Sequence, residues 1–459
     1  MSSREASAKH LPQALWVYGP DGLVGTLHNT DPLSFSYNDT WLATPGAKPI
    51  VPGLPLTPAR IDTAAVAAFF ENLLPEGDQR KVISMREKVS TVFGLLARVG
   101  GESAGAFVLV PEGETLQDPV YQHLTWDQVS LLVHADGAQS AEREEIEREA
   151  AALPAPRMSL SGAQFKLLLY VDEQGNPARP MGNAPSTHIL KPDILRSDIK
   201  VFASSVNETI IMLAAAECAL HTAKVAYQPN TRACLVERYD RELQPGGSLK
   251  RIWQADFCQM LGKASDVKYE AEGGPTFKEC YDLLAVSSLP AVDRLQLLRW
   301  LFFNLCVGND DSHAKNLSII ATPKGLRLAP FYDMMCTRVY PGLAAKFAFE
   351  IAGETETGKI TGEHIYKLAE SLGVAPKYMM NLALSVAHRV PVATAAVAEK
   401  LRPMLGPQEK IMAERLVQKI SSISGRLAKR ITEGPAQQDD LGQGGENVPE
   451  EEPGQTPSP

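Results

Sequence analysis

Over the first forty positions apolar residues alternate with polar ones and with turn residues. Residues 15–27, LWVYGPDGLVGTL, predict a hairpin turning at Pro20, Asp21 and Gly22, and residues 33–42, LSFSYNDTWL, predict a further strand. From Ile61 to Leu74 the spacing becomes helical and stops at Pro75; residues 89–103 repeat that pattern up to Gly100 and Gly101. Such helices are expected to cover the first sheet.

Residues 135–157 are polar, highly charged and interrupted by Ala and Pro, which reads as a linker or an exposed helix. Two β-like runs follow, FKLLLYVD and STHILKPD, separated by the turn-rich EQGNPARPMGNAP. From about residue 205 helical spacing dominates, in NETIIMLAAAECALH, AVDRLQLLRWLFFNLCVG and ERLVQKISSISGRLAKRI. The expected organisation is a β-rich unit at 1–134, the linker at 135–157, a mixed unit at 158–240, a helical unit at 241–433 and a tail at 434–459, an α+β chain. The tail is rich in Pro, Gly, Gln and acids and nearly empty of apolar residues, so it is expected to be disordered and dispensable for chemistry.

Composition narrows the function. With 459 residues, 44% of them hydrophobic, the chain can build a sizeable core. A formal charge of -9 offers no global attraction to nucleic acid or anionic lipid, so any link to DNA is expected through a partner. Six scattered cysteines without a C-x-x-C pair fit reduced, buried thiols better than a disulfide frame or a zinc site. The opening residues carry no apolar core after their basic positions, and no run approaches the ~18 apolar residues of a membrane span. A cytoplasmic protein without membrane contact is expected.

The densest polar chemistry lies in residues 308–320, GNDDSHAKNLSII, between a helical run and an apolar stretch. A single histidine, His313, makes a metal site of its own a weak reading. Phosphoryl transfer fits better: a kinase catalytic loop needs an Asp to accept a hydroxyl proton and, five positions on, an Asn to hold a metal ion. Asp311 to Asn316 has that step, whereas Asp310 reaches Lys315, a cation. On spacing alone an ordinary capped turn is an even alternative. The partners of such a loop also have candidates. Asp333 follows a strand-like run in LRLAPFYDMM, Lys191 ends the strand of THILKPD, and Ser159, Ser161, Gly162 and Ala163 precede a strand as a backbone cradle for phosphate.

Taken together, FFENLLPEG, LLARVGGESAGAFVLVPEG, SLSGAQFK, THILKPD, NET, VERYDR, QADFCQMLG, KYEAEGGP, GNDDSHAKN and APFYDM resemble the HipA family, the serine/threonine kinase toxins of bacterial HipBA toxin–antitoxin modules. The resemblance implies a two-lobed protein-kinase-like fold with an extra N-terminal β-rich subdomain, a mixed N-lobe over 158–240 and a helical C-lobe over 241–433. It implies ATP and Mg2+ between the lobes. Asp311 would be the catalytic base, Asn316 and Asp333 the magnesium ligands and Lys191 the phosphate-pairing lysine. Ser161, Gly162, Ala163 and Gln164 would line the Gly-rich loop, Glu237 and Tyr239 the adenine hinge, and His313 and Lys315 the positions nearest the transferring phosphate. Glu208 is a possible partner for Lys191 or a plain helix-face glutamate.

The resemblance further implies self-inhibition through autophosphorylation at Ser159, with Ser161 as a second candidate. It implies a small helix-turn-helix antitoxin of the HipB type, operator DNA reached only through that partner, and an aminoacyl-tRNA synthetase, of the glutamyl type, as substrate. A small-molecule phosphotransferase and a catalytically weak corepressor are the competing readings.

Overall fold

The computed structural model describes residues 11–134, 165–194, 201–343 and 346–433. The expected linker at 135–157, the loop carrying Ser159, Ser161, Gly162, Ala163 and Gln164, and the tail at 434–459 lie outside the described residues.

The predicted hairpin forms: β1 (Ala14–Gly19) pairs antiparallel with β2 (Gly22–His28), Trp16 opposite Thr26. β3 (Ser34–Tyr37) and β4 (Val108–Pro111) complete an antiparallel sheet in the order β3-β2-β1-β4. Alternation puts Leu15, Val17, Leu27 and Phe35 into the core. Only four of the ten residues of LSFSYNDTWL are strand, because Asn38 accepts a hydrogen bond from the Thr40 amide at 2.9 Å and starts α1 (Asp39–Ala43). The apolar face is covered by α2 (Ala64–Glu71), through Val66, Phe69 and Phe70, and by α4 (Val92–Val99), through Phe93, Leu95 and Leu96. Between them runs α3 (Gly77–Glu87), which begins just after Pro75 and Glu76.

A second antiparallel sheet has the order β5-β7-β6-β8-β10-β9. Its strands are β5 (Val120–His123), β6 (Leu167–Val171), β7 (Pro177–Met181), β8 (His188–Lys191), β9 (Val225–Gln228) and β10 (Ala233–Glu237). Two corrections follow. The stretch expected as a turn between the two β-like runs contains β7, which Pro177 opens and which pairs with strands on both sides, so tertiary pairing overrides its turn-rich composition. The chain also passes from the first sheet to the second between Pro111 and Val120, upstream of the boundary expected at 134, because β5 and α5 (Trp126–His134) pack with the second sheet.

The period of two along β10 serves both faces of this sheet. Ala233 and Leu235 pack with Val129 of α5, while Cys234 and Val236 join the core shared with α6 (Ser204–Glu217). After β10 come the hairpin of β11 (Arg241–Leu243) and β12 (Leu249–Arg251), then a three-stranded sheet of β13 (Gln254–Asp256), β14 (Ser318–Thr322) and β15 (Gly325–Leu328).

Helices fill the rest: α7 (Phe257–Leu261), α8 (Phe277–Leu283), α9 (Pro290–Val307), α10 (Gly362–Ser371), α11 (Pro376–Leu401) and α12 (Pro407–Glu433). The second half of α9 is buried from Leu297 through Val307 apart from the half-buried Arg299, as its nearly unbroken apolar run requires. It is the fixed post from which the polar loop at 308–316 departs. No described helix is long and apolar enough to cross a membrane.

Candidate functional site

The loop starts where α9 must stop. Gly308 takes a left-handed conformation, φ 72°, and a Cβ there would meet Ile423 at 2.8 Å and Arg338 at 2.9 Å. The next residues are braced one by one. Asn309 donates to Asn304 Oδ1 at 2.8 Å, the Asp310 amide donates to Thr337 Oγ1 at 3.0 Å, and Ser312 donates to the Asn309 carbonyl at 3.1 Å. Asp310 is buried and pairs with Arg338 at 2.8 Å. Its neighbour Asp311 points outward, its side chain 60% exposed. The two adjacent aspartates therefore have different surroundings, one inside the scaffold and one at the cleft.

Asn316 closes the loop by donating from Nδ2 to the Asp311 carbonyl at 3.1 Å, and the Tyr332 hydroxyl donates to the Lys315 carbonyl at 2.8 Å. His313 is buried against the ring of Tyr269, edge-on at 5.3 Å; burial pushes its imidazole down to about 4, so it is neutral near pH 7.

Facing this loop, Lys191 at the end of β8 stands between two carboxylates, 2.6 Å from Glu208 Oε1 on α6 and 2.6 Å from Asp333 Oδ1. Of the two readings open for Glu208, the buried partner is the one observed. Burial would depress the Lys191 ammonium, but Asp333 and Glu208 outweigh it and hold the group charged well above its ordinary value. Asp333 lies five residues past the end of β15, not directly after it, in a left-handed conformation at φ 59°. Burial works against its ionisation, yet Lys191 and Lys166 keep its carboxyl well below the usual range. Asn207, beside Glu208, donates to the Cys336 carbonyl and accepts from the Cys336 amide, both at 2.9 Å, which ties α6 to the Asp333 segment.

Several of these residues are invisible to motif reading. Lys166, buried next to Lys191, is pushed down to about 8 by burial and by the neighbouring cation. Glu76, from the N-terminal part, forms ion pairs with Lys315 of the loop and with Lys268. Tyr269 donates its hydroxyl to Asp311 Oδ1 at 2.5 Å. Each is a lone polar residue in sequence, and only SLSGAQFK, FFENLLPEG and KYEAEGGP, as whole strings, mark their neighbourhoods.

Glu237 and Tyr239 lie where the chain leaves β10 for the helical part. The Glu237 carboxylate is on an exposed pair with Lys224 at 3.0 Å, and Tyr239 rests 6.1 Å from the ring of Tyr332. Between them Arg238 turns inward to a buried network: Glu102 Oε1 accepts from Arg238 and Arg241 at 3.0 Å each, and Asp240 accepts from Arg238 at 2.7 Å. Glu102 also takes Arg251 at 2.5 Å and Ser186 Oγ at 2.8 Å. Much of VERYDR thus fastens the strand exit to the N-terminal part.

The site gathers a buried cation, a carboxylate and an amide from separate segments around an outward-facing carboxylate. Asn316 and Asp333 offer only oxygen donors for a cation, the set a hard divalent ion prefers. Among the described residues no cluster of three His, Cys, Asp or Glu side chains could hold a metal by itself. All six cysteines are free and buried, away from any such role.

Comparison with known proteins places this geometry in context. A family model described as the HipA-like C-terminal domain matches residues 158–394, and one described as the HipA N-terminal domain matches residues 15–110. The protein named "Putative kinase Y4mE" of Sinorhizobium fredii is 37% identical over 356 residues, covering 74% of this chain and 81% of that protein. The serine/threonine-protein kinase toxin HipA of Shewanella oneidensis is 27% identical over 403 residues, covering 84% and 89%. In a solved complex of Shewanella oneidensis HipA with HipB and operator DNA, a chain 26% identical superposes with a TM-score of 0.75, covering 90% of this chain and 97% of that one. The α+β architecture is thus the kinase-like two-lobed fold with its extra N-terminal β-rich part.

Proposed function

The chain belongs to the HipA family, and from that premise we propose that it is an ATP- and magnesium-dependent protein serine/threonine kinase acting as the toxin of a toxin–antitoxin module. The observation that carries the reading is the placement of Lys191 between Glu208 and Asp333, opposite Asp311 and Asn316 on one braced loop. Lys-to-carboxylate pairing of this kind is what a kinase requires before it can grip phosphates.

In this reading Asp311 orients the acceptor hydroxyl and takes its proton as the new oxygen–phosphorus bond forms and the bond to ADP breaks. Lys191 holds phosphate oxygens, with Glu208 keeping its ammonium in place. Asn316 and Asp333 would hold magnesium, which supplies charge neutralisation on the phosphates. The neutral imidazole of His313, packed edge-on against Tyr269, contributes shape to the loop without adding charge.

The acceptor is a serine or threonine of a translation component, an aminoacyl-tRNA synthetase of the glutamyl type by family analogy, and its modification arrests growth. Transfer to Ser159 or Ser161 would end activity, because a phosphoserine dianion beside ATP phosphates is repelled from the site. The partner is a helix-turn-helix antitoxin of the HipB type, through which an acidic chain of charge -9 meets operator DNA. The relative solved with HipB and operator DNA supports that assignment.

The test is to incubate purified chain with γ-labelled ATP and magnesium, alone and with cell lysate, and to map the phosphate. Label on protein serines that disappears in Asp311→Asn supports the reading; label only on small metabolites would replace it with a metabolite phosphotransferase.

A further inference from the structure

Glu76 is the residue before α3, yet its side chain makes no capping bond to that helix. It reaches across to the catalytic loop, where one carboxylate oxygen pairs with Lys315 and the other with Lys268 at 2.9 Å. The side chains involved are largely withdrawn from water, Lys315 to 3% exposure, Glu76 to 14% and Lys268 to 17%. Lys315 immediately precedes Asn316, which is bonded to the Asp311 carbonyl. Lys268 immediately precedes Tyr269, whose hydroxyl is bonded to the Asp311 carboxylate.

These contacts form a closed circuit through three distant segments, from Asp311 through Tyr269 and Lys268 to Glu76, and back through Lys315 and Asn316 to Asp311. We infer that Glu76 is a positioning residue for phosphoryl transfer, an anion of the N-terminal subdomain that clamps the catalytic loop to the segment bearing Tyr269 and thereby aims Asp311 at the acceptor. The inference deepens the kinase reading and rests on it.

The physical argument is one of charge and register. Two lysines share a single anion; without it Lys315 is left as a poorly solvated cation and must swing away, drawing Asn316 with it. Lys268 loses its tether, and Tyr269 no longer fixes the Asp311 carboxylate. A displacement of about 1 Å in a reacting group costs on the order of a hundredfold in rate, whereas grip on ATP through Lys191 and Glu208 lies outside the circuit. The N-terminal subdomain is on this account part of the catalytic apparatus and not merely an attached module.

The discriminating variant is Glu76→Gln, which preserves shape and removes the charge. Three measurements are made on the full chain: steady-state phosphate transfer from ATP with magnesium, thermal unfolding, and lysine acetylation by acetic anhydride read by mass spectrometry. The expected result is a kcat reduced about tenfold or more with a clearly smaller rise in the KM for ATP, as far as Asn316 and Lys315 shift, and faster acetylation of Lys268 and Lys315. Lys268→Met, which cuts one arm only, should lower kcat less, and it carries the test should Glu76→Gln fail to fold. An unchanged kcat, or a KM for ATP that rises in step with the loss, would overturn the inference. If the wild-type chain transfers no phosphate, the kinase reading falls separately, and the acetylation pattern alone decides the clamp: no change in labelling refutes it, faster labelling upholds it.

Discussion

Lys191 and Asp333, 142 positions apart in the chain, meet at 2.6 Å across the cleft, and the same ammonium lies 2.6 Å from Glu208. Glu208 is almost wholly buried, and burial raises its carboxyl above the ordinary value even with Lys191 beside it. Replacing Lys191 by Met therefore strands a buried carboxylate as well as removing the cation proposed to hold phosphate. Urea unfolding should show Lys191→Met destabilised by about 3 kcal/mol, with Lys191→Met/Glu208→Gln recovering most of that loss. Additive losses in the double variant would show that the two groups are not coupled.

Stability should fall with acidity through His313. Its folded value, about 4, lies below the ordinary 6.5, so the unfolded chain binds a proton that the folded chain refuses. This contribution is fully present above pH 6.5 and is lost as pH falls from 6.5 to 4. Over that interval His313 should account for roughly 3 kcal/mol of lost stability. Unfolding midpoints measured across that range should drop more steeply for the wild type than for His313→Gln; parallel profiles would assign the acid lability elsewhere.

Glu102 holds three guanidinium groups, those of Arg238, Arg241 and Arg251, in a buried network that joins the N-terminal part to the exit of β10. Glu102→Ala leaves this positive charge only partly compensated, by Asp240, and an unfolding free energy lower by about 3–5 kcal/mol is expected. A change below about 1 kcal/mol would mean that solvent and the Asp240 already present suffice for the three guanidinium groups.

Gly308→Ala tests the turn that launches the polar loop at 308–316. The added methyl would strike Ile423 and Arg338, and the left-handed backbone disfavours alanine as well. A destabilisation of about 1–3 kcal/mol is expected. Because Arg338 is the partner of Asp310, phosphate transfer should fall further than the loss of folded protein explains. Full activity in the remaining folded fraction would show that the loop absorbs the methyl without moving.

Local chemistry made part of this molecule readable from the chain alone. Alternation around Pro20 and Gly22 specified the hairpin, the apolar run ending at Val307 specified the buried helix, and Gly308 specified where it stops. The five-residue step to Asn316 distinguishes Asp311 from Asp310 as a candidate, and in the fold the two differ in surroundings, one exposed and the other locked to Arg338. Such signals survive because they depend on residues a few positions apart, whose relative geometry the backbone itself sets.

Tertiary structure alone decided the rest. β7 reads as a turn by composition and is a strand because β5 and β6 flank it. Glu76, Glu102, Lys166 and Lys268 are ordinary charged residues in the sequence, indistinguishable from solvated ones, and acquire meaning only from partners brought beside them. Glu76 meets Lys268 across a separation of 192 positions. A carboxylate's role is set by which cation shares its desolvated space, and that pairing exists only once the N-terminal sheet, the second sheet and α9 have packed against one another.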